Sequence, residues 1–257
     1  GGNRNRGDFF LRMILGEGRP PWPDQVPVTP VRPADRIAGD RMVVHWVGHS
    51  TVLIQTQGLN ILTDPIWSER AGPFGRSGPK RVAAPGVRFD DLASFRGITR
   101  PAVRLVLSWT CPANWPQAAS MSSPRVLRVV VTTPAGNIFF AGDTGAGDMR
   151  WPSEAARYGP IRFAMLPIGA FRFAPGEMTT DSHIGPYEAV AIYRKLGAAH
   201  ALAIHWGTFR LSFEARNTPP YLLKRALRQA GISPDRFRAR PFGVAWDIPL
   251  LDHRIVQ

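Results

Sequence analysis

The stretch 42–65, MVVHWVGHSTVLIQTQGLNILTDP, decides the fold class of this chain. Its apolar and β-branched residues fall into short runs over residues 42–47, 51–55 and 59–62, and turn-forming residues separate the runs. Runs of this length and composition, bounded by glycine, serine, aspartate and proline, are typical of β-strands. The pattern therefore predicts three consecutive strands joined by tight turns.

The second half of the chain alternates predicted strands with predicted helices. Strands are predicted over residues 127–132, 137–141, 162–166, 199–204, 237–240 and 244–248. Helices are predicted over 186–196 and 220–230, because proline stands at the start of each and glycine follows each end. Consecutive strands early and strand–helix units late predict an α/β (α+β) domain of packed layers.

The start of the chain differs in composition from the rest. Residues 1–35 are rich in proline, glycine and arginine and predict an extended N-terminal arm with a short helix over 7–15. Residues 36–257 carry the strand and helix pattern and are predicted to form one domain, with a further strand over 103–107.

Arginine supplies nearly all the positive charge of the chain. The sequence has 257 residues, a formal net charge of +13 and a pI near 11.3. Arginine binds phosphate through a planar, two-pronged guanidinium, so phosphorylated metabolites, phospholipid headgroups and nucleic acid are candidate partners. A compositional preference for arginine on a solvated surface explains the charge equally well. No basic run interleaved with aromatics is present, which argues against nucleic acid.

Cysteine content and hydropathy bear on the compartment. The single cysteine, Cys111, allows neither an intramolecular disulfide nor a cysteine-based zinc site, and it favours a reducing compartment. No stretch approaches the roughly 18 apolar residues of a spanning helix, and the first residues do not read as a signal peptide. We expect a cytoplasmic location, with association to a membrane surface as the alternative.

Two polar residues stand just after apolar strands. Asp143 lies in the glycine-rich turn 142–145, and His205 precedes a tryptophan and a glycine. Side chains at the carboxyl ends of buried strands project into the crevice where α/β folds bind ligands, and carboxylate with imidazole is the ligand chemistry of zinc and iron sites. The alternative interpretation is a turn-capping aspartate and a satisfied, partly buried histidine.

Three more residues have a similar character. His49 lies in a Gly-His-Ser turn, Asp64 ends a predicted strand before a proline, and His183 lies in a polar loop before a predicted helix. Each also has a structural explanation, as a turn residue, a cap or an exposed loop histidine. The chain has no P-loop, no nucleophile elbow and no dinucleotide-binding glycine motif, so no cofactor-binding residue is predicted.

Six segments, taken in chain order, carry a family resemblance. They are 48–54 (GHSTVLI), 62–66 (LTDPI), 78–81 (GPKR), 141–145 (AGDTG), 166–170 (LPIGA) and 204–209 (IHWGTF). Together they resemble the branch of the metallo-β-lactamase superfamily that holds the N-acyl-phosphatidylethanolamine phospholipase D-like hydrolases. The resemblance implies an αββα sandwich and a zinc-dependent hydrolase, with two metal sites in intact members.

The resemblance also implies roles for the candidate residues. Asp143 matches the carboxylate that bridges the two metals, and His205 matches the last histidine of the second metal site. His183 matches a histidine near the reacting phosphate and is the implied catalytic residue. His49 and Asp64 match residues that lie close to the metals without binding them.

The sequence departs from the family at its main metal-binding motif. The family carries His-x-His-x-Asp-His, and none of the six histidines here has that spacing. The chain leaves the family pattern after Leu92, and residues 112–115 (PANW) stand where the family has a histidine-containing segment. An internal deletion that trims the sandwich explains both observations. We therefore expect one zinc ion or none.

Two functional hypotheses follow, and whether the chain is an enzyme is left open. The first is a metal-dependent hydrolase of small-molecule or lipid phosphodiesters, weakened by the lost ligands. The second is a degenerate, non-catalytic family member, or a basic protein that binds phosphate, nucleic acid or an anionic membrane surface. Bound metal that is lost when Asp143 or His205 is replaced would favour the first hypothesis.

Overall fold

A computed structural model describes residues 20–72, 77–92, 128–173 and 182–251, which form two β-sheets and three α-helices. The helix predicted over 7–15, the strand predicted over 103–107 and the trimmed stretch after Leu92 lie outside the described residues. They stay predictions.

The first sheet is antiparallel, with strand order β3-β2-β1-β9. Its strands are β1 (Met42–Gly48), β2 (Thr51–Thr56), β3 (Leu59–Leu62) and β9 (Trp246–Ile248). The three early strands confirm the prediction from the opening stretch. The last strand returns from the far end of the chain and pairs with β1, from Met42 opposite Ile248 to Val44 opposite Trp246.

The second sheet has five strands in the order β4-β5-β6-β7-β8. They are β4 (Val129–Val131), β5 (Asn137–Phe140), β6 (Ile161–Pro167), β7 (His200–Ile204) and β8 (Phe237–Arg238). The hairpin β4–β5, formed where two strands are predicted, is antiparallel, and the other pairings are parallel. The carboxyl ends of β5, β6 and β7 therefore lie along one edge of the sheet.

Alternation along the strands divides the interior into two cores. On β6 and β7, Met165 and Leu202 face the first sheet and pack with Trp46 and Ile54. Their neighbours point to the other face, where Leu166 packs against the helices. Because side chains alternate across a strand, the parallel strands are apolar on both faces and form the middle of the molecule.

Three helices cover the outer face of the second sheet: α1 (Trp151–Ala156), α2 (Pro186–Leu196) and α3 (Thr218–Gln229). Helix α2 has the predicted bounds and ends at Gly197 in the left-handed conformation, and α3 lies within two residues of its prediction. Helix α1 was not predicted. No helix in the described part of the chain is long and apolar enough to cross a membrane.

The described part of the N-terminal arm contacts the domain at several points along its length. Val26 forms a parallel bridge with Ala83, and the indole of Trp22 donates a hydrogen bond to the Glu214 carbonyl at 3.0 Å. The division of the chain into an arm and a domain stays a prediction.

His45 on β1 makes the stability of the fold dependent on pH. The residue is buried, its Nδ1 contacts the Gly243 carbonyl at 3.0 Å, and burial lowers the pKa of its imidazole. As pH falls through the ordinary value of 6.5, the unfolded chain binds a proton that the folded chain resists, so the free energy of unfolding falls. One such proton contributes at most about 1.4 kcal/mol per pH unit.

Replacing His45 with glutamine should flatten this dependence, because the neutral amide takes up no proton. Urea unfolding at about pH 7 and about pH 5 measures the difference in unfolding free energy for both proteins. A drop in the variant as large as the wild-type drop would contradict the prediction.

Candidate metal centre

The candidate centre lies where three parallel strands of the second sheet end. Asp143 follows β5, residues 168–173 follow β6, and His205 follows β7. Because these strands end at one edge, the three segments meet in the crevice where such folds bind ligands. The β1–β2 turn reaches the same edge, since the His49 carbonyl accepts a hydrogen bond from the His205 amide at 2.9 Å.

The side chains of Asp143, His183 and His205 converge at this edge. Their ligand atoms all lie within 4.8 Å of one another. His183 Nδ1 lies 2.5 Å from Asp143 Oδ1, and His205 Nε2 lies 3.5 Å from Asp143 Oδ2, so each imidazole faces a different carboxylate oxygen. The Asp143 side chain is 51% exposed and that of His205 is 1% exposed, so the centre opens to solvent on the aspartate side.

His205 is held in one orientation from its buried side. Its Nδ1 lies 3.3 Å from the Gly169 carbonyl, and this oxygen can only accept a hydrogen bond. A proton on Nδ1 donated to this carbonyl would leave Nε2, which faces Asp143, as the nitrogen available to a metal. Metal-binding histidines commonly donate their other ring N–H to a backbone carbonyl in this way.

His183 enters the centre just ahead of helix α2. The amide of the following residue, Ile184, donates a hydrogen bond to the Thr144 carbonyl at 3.0 Å, which fixes this segment beside the Asp143 turn. His183 Nδ1 is buried and lies 2.5 Å from Asp143 Oδ1, closer than an ordinary N–H···O hydrogen bond. A buried ring nitrogen beside a carboxylate, without a well-formed hydrogen bond, has the donor chemistry of a metal ligand.

The charges of the centre support one another. Burial favours the neutral form of Asp143, but His205 and His183 outweigh it and hold the pKa of the carboxyl well below its usual range. Burial likewise lowers the pKa of His205, and the Asp143 carboxylate outweighs that effect, so the net shift of the His205 pKa is upward. The buried imidazole and the more exposed carboxylate therefore each stabilise the charged form of the other.

His49 and Asp64 lie around the centre rather than in it. The His49 ring packs on that of His205, with centroids 4.1 Å apart, and burial followed by the proximity of His205 lowers the pKa of His49 well below its ordinary value. Burial raises the pKa of Asp64, and Asp143 adds to the rise while His205 opposes it. Neither residue belongs to the cluster of converging ligand atoms.

Strained backbone accumulates at this edge of the molecule. Four non-glycine residues of the region have positive φ angles: His49 at 50°, Asp64 at 28°, Ala170 at 59° and His205 at 65°. Such conformations cost on the order of 1–3 kcal/mol each and persist where surrounding contacts enforce them, commonly at functional sites. The hydrogen bond from the His205 amide to the His49 carbonyl is one such contact, and it joins two of these turns.

Two residues that support the centre were missed as candidates in the sequence. Gly169 presents its carbonyl to His205, and no larger residue fits there, because an added Cβ would collide with the His205 carbonyl oxygen. Glu214 is buried, and its carboxylate accepts hydrogen bonds from the amides of Ala170 and Arg172. Gly169 falls in the segment 166–170 that carries the family resemblance, and residues 213–214 are also similar to the family, which was the only signal available for either residue.

Comparison with known proteins agrees with this architecture. The sequence profile described as a beta-lactamase superfamily domain matches residues 108–206. An uncharacterized protein of Mycobacterium tuberculosis is 28% identical over 229 residues, which cover 67% of this chain and 60% of that protein. N-acyl-phosphatidylethanolamine-hydrolyzing phospholipase D 1 of Caenorhabditis elegans is 24% identical over 227 residues, which cover 64% and 63% of the two chains. The chain thus spans about 60% of the length of these curated relatives.

A solved structure shares the fold. The isothiocyanate hydrolase from Delia radicum gut bacteria superposes with a TM-score of 0.53 over 80% of this chain and 98% of that one. At 15% identity, this likeness concerns the fold alone.

The two sheets, the helical layer and the profile match over residues 108–206 support membership of the metallo-β-lactamase superfamily. Within the superfamily, it is related to the N-acyl-phosphatidylethanolamine-hydrolyzing phospholipases D.

Proposed function

We propose that the protein is a hydrolase of phosphodiester or phospholipid-type substrates that uses one zinc ion held by Asp143, His183 and His205. The convergence of their ligand atoms within 4.8 Å is the observation that carries the proposal. His183 thereby changes role, from the catalytic histidine that the family resemblance implies to the third ligand.

The donor set suits a catalytic zinc site. Such sites typically have three protein ligands and one open position, and imidazole and carboxylate are the usual donors. Asp143, His183 and His205 would hold the ion, since their ligand atoms lie within 4.8 Å of one another. The exposed side of Asp143 leaves room for water and substrate.

When bound, zinc supplies a lowered pKa for a water molecule and polarisation of the phosphoryl oxygen. The protein orients His205 through the Gly169 carbonyl and keeps His49 neutral against its ring. Because both imidazoles face one carboxylate, Asp143 sets their spacing. In this proposal, Asp143, His183 and His205 bind zinc, and the Gly169 carbonyl orients His205. The substrate enters from the exposed side of Asp143.

The substrate class rests on chemistry and kinship. The C. elegans relative hydrolyses an N-acyl-phosphatidylethanolamine, as its name states. A formal net charge of +13, supplied mostly by arginine, favours an anionic phosphate-containing substrate and an anionic lipid surface.

A non-catalytic family member is the competing function. The absence of the His-x-His-x-Asp-His motif from the sequence favours it, because that motif supplies most metal ligands in the family that the chain resembles. The two functions differ first in whether the folded protein holds metal.

Metal content tests the proposal. We expect elemental analysis of protein reconstituted with zinc and then desalted to find about one zinc ion per chain, and His205→Ala to find almost none. The matched control is His200→Ala. His200 is the first residue of β7, and His205 directly follows the last residue of that strand. Folded wild-type protein without metal would refute the hydrolase, and equal zinc in wild type and His205→Ala would refute the site.

Activity is the second arm of the test. The zinc-loaded protein should hydrolyse bis(p-nitrophenyl) phosphate or an N-acyl-phosphatidylethanolamine, and a chelator should abolish the reaction. Zinc bound at the three ligands without hydrolysis of either phosphodiester would support the non-catalytic function.

A further inference from the structure

We propose that Glu214 is a positioning residue that orients both histidines of the centre by holding the loop 168–173. The inference rests on the proposed metal site and deepens it, because Glu214 itself does not belong to the converging ligand set. It acts through the backbone of the loop that follows β6.

Both carboxylate oxygens of Glu214 accept hydrogen bonds from other groups of the protein. The residue is 3% exposed, and its Oε1 accepts a hydrogen bond from the Ala170 amide at 2.5 Å. Its Oε2 accepts one from the Arg172 amide at 3.2 Å and a short one from the Ser212 hydroxyl. The Phe213 amide returns a hydrogen bond to the Arg172 carbonyl at 2.9 Å, so the two segments are joined in both directions.

The bond to Ala170 supports a strained part of the loop. Ala170 has a φ of 59°, a conformation that is unfavourable for any residue with a Cβ. The preceding Gly169 must lie flat against His205 and Trp206 for its carbonyl to reach the His205 ring. Glu214 therefore stabilises the conformation that presents this carbonyl to Nδ1 of His205.

The same loop contacts the other histidine. The ring of Phe173 lies 5.8 Å from that of His183, and the ring of Phe171 packs beside Gly185, which caps helix α2. Movement of the loop would therefore change the surroundings of His183 as well as the hydrogen bond to His205. One buried carboxylate thus supports two ligands that are far apart in sequence.

Glutamine in place of Glu214 keeps the shape of the side chain but not its hydrogen bonding. The amide has one acceptor oxygen, and its NH₂ group would face an N–H or O–H donor. At least one loop amide or the Ser212 hydroxyl then loses its partner. Outer groups that orient metal-binding histidines typically change metal affinity roughly 10- to 100-fold when replaced.

The test measures cobalt(II) and zinc affinity by calorimetric titration of wild type and Glu214→Gln. We expect roughly 10- to 100-fold weaker binding in the variant, with an unchanged circular dichroism spectrum. Asn137→Ala is the control, since buried Asn137 holds the Thr133 amide and the Tyr158 carbonyl at the other end of β5. Unchanged affinity in Glu214→Gln, or an equal loss in Asn137→Ala, would overturn the proposal.

A metal-free measurement separates this inference from the proposed function. Nitrogen NMR of the labelled, metal-free protein at alkaline pH reports the His205 tautomer. Loss of the Gly169 contact in Glu214→Gln should lower the share of the His205 proton on Nδ1 relative to wild type. If wild type binds no metal, the hydrolase fails while the tautomer still decides the role of Glu214, and identical tautomers in both proteins would refute that role.

Discussion

Zinc should stabilise the wild-type protein strongly and the Asp143→Asn variant hardly at all. Asp143 supplies the only carboxylate of the converging ligand set, and its lowered pKa keeps it ionised as pH falls through the usual carboxyl range. A free zinc concentration about 100 times the dissociation constant should raise the free energy of unfolding of wild type by about 2.7 kcal/mol. If asparagine weakens binding at least 100-fold, the same zinc raises it by about 0.4 kcal/mol or less.

Urea unfolding with and without zinc gives these differences directly, and metal-free samples show whether the substitution changes the fold by itself. Asp148→Asn is the matched control, because Asp148 lies on the same loop with a 57% exposed side chain whose ion-pair partner is Arg150. The control should keep the full zinc effect. A zinc effect in Asp143→Asn close to that of wild type would contradict the assignment of Asp143 as a ligand.

The sequence predicted the parts of the fold that short-range patterns determine. The early strands, the β4–β5 hairpin and helix α2 each have local signals in the chain: apolar runs, a Pro-Ala-Gly turn, or a proline start with a glycine end. Helix α1 has only six residues, too few to show a 3.6-residue periodicity, and a proline stands near its start. The pairing of β9 with β1 depends on packing across the whole domain, which no local pattern records.

The candidate centre was predictable in part for the same reason. Asp143 and His205 follow apolar strands, so the sequence places both at a sheet edge, and parallel pairing brings those edges together. His183 had no such signal, because its position depends on the hydrogen bond between Ile184 and Thr144. Its place in a polar loop before a predicted helix and the family resemblance singled it out, and the proposed zinc site gives it a different role.

Supporting residues are the hardest to find from sequence because burial decides their role. Glu214 is an acidic residue in a loop, and such residues are usually exposed to solvent. In the structure it is buried, and its carboxylate accepts hydrogen bonds from two backbone amides. His49 and Asp64 look like ordinary turn residues, and only the fold shows their positive φ angles beside the centre. Sequence patterns can therefore nominate ligands more readily than the groups that orient them.

Replacing Gly169 with alanine should disrupt the centre more severely than removing any one supporting side chain. The added Cβ would collide with the His205 carbonyl oxygen and lie 3.0 Å from the Cα and Cβ atoms of Trp206. Backbone atoms must move to relieve this overlap, at a cost on the order of 3 kcal/mol in unfolding free energy. The displaced loop can no longer present the Gly169 carbonyl to His205, so zinc affinity should fall by at least about 100-fold.

Gly39→Ala separates the effect of the collision from the effect of adding a methyl group. Gly39 has a φ of 61° and nothing within 4 Å of an added Cβ, so alanine there meets backbone strain without overlap. We expect a loss of about 1 kcal/mol and unchanged zinc affinity in that variant. Urea unfolding and zinc titration compare both variants with wild type. The added Cβ at residue 169 must displace the loop, because it overlaps the His205 carbonyl oxygen. Normal zinc affinity in folded Gly169→Ala would therefore mean that the Gly169 carbonyl does not orient His205.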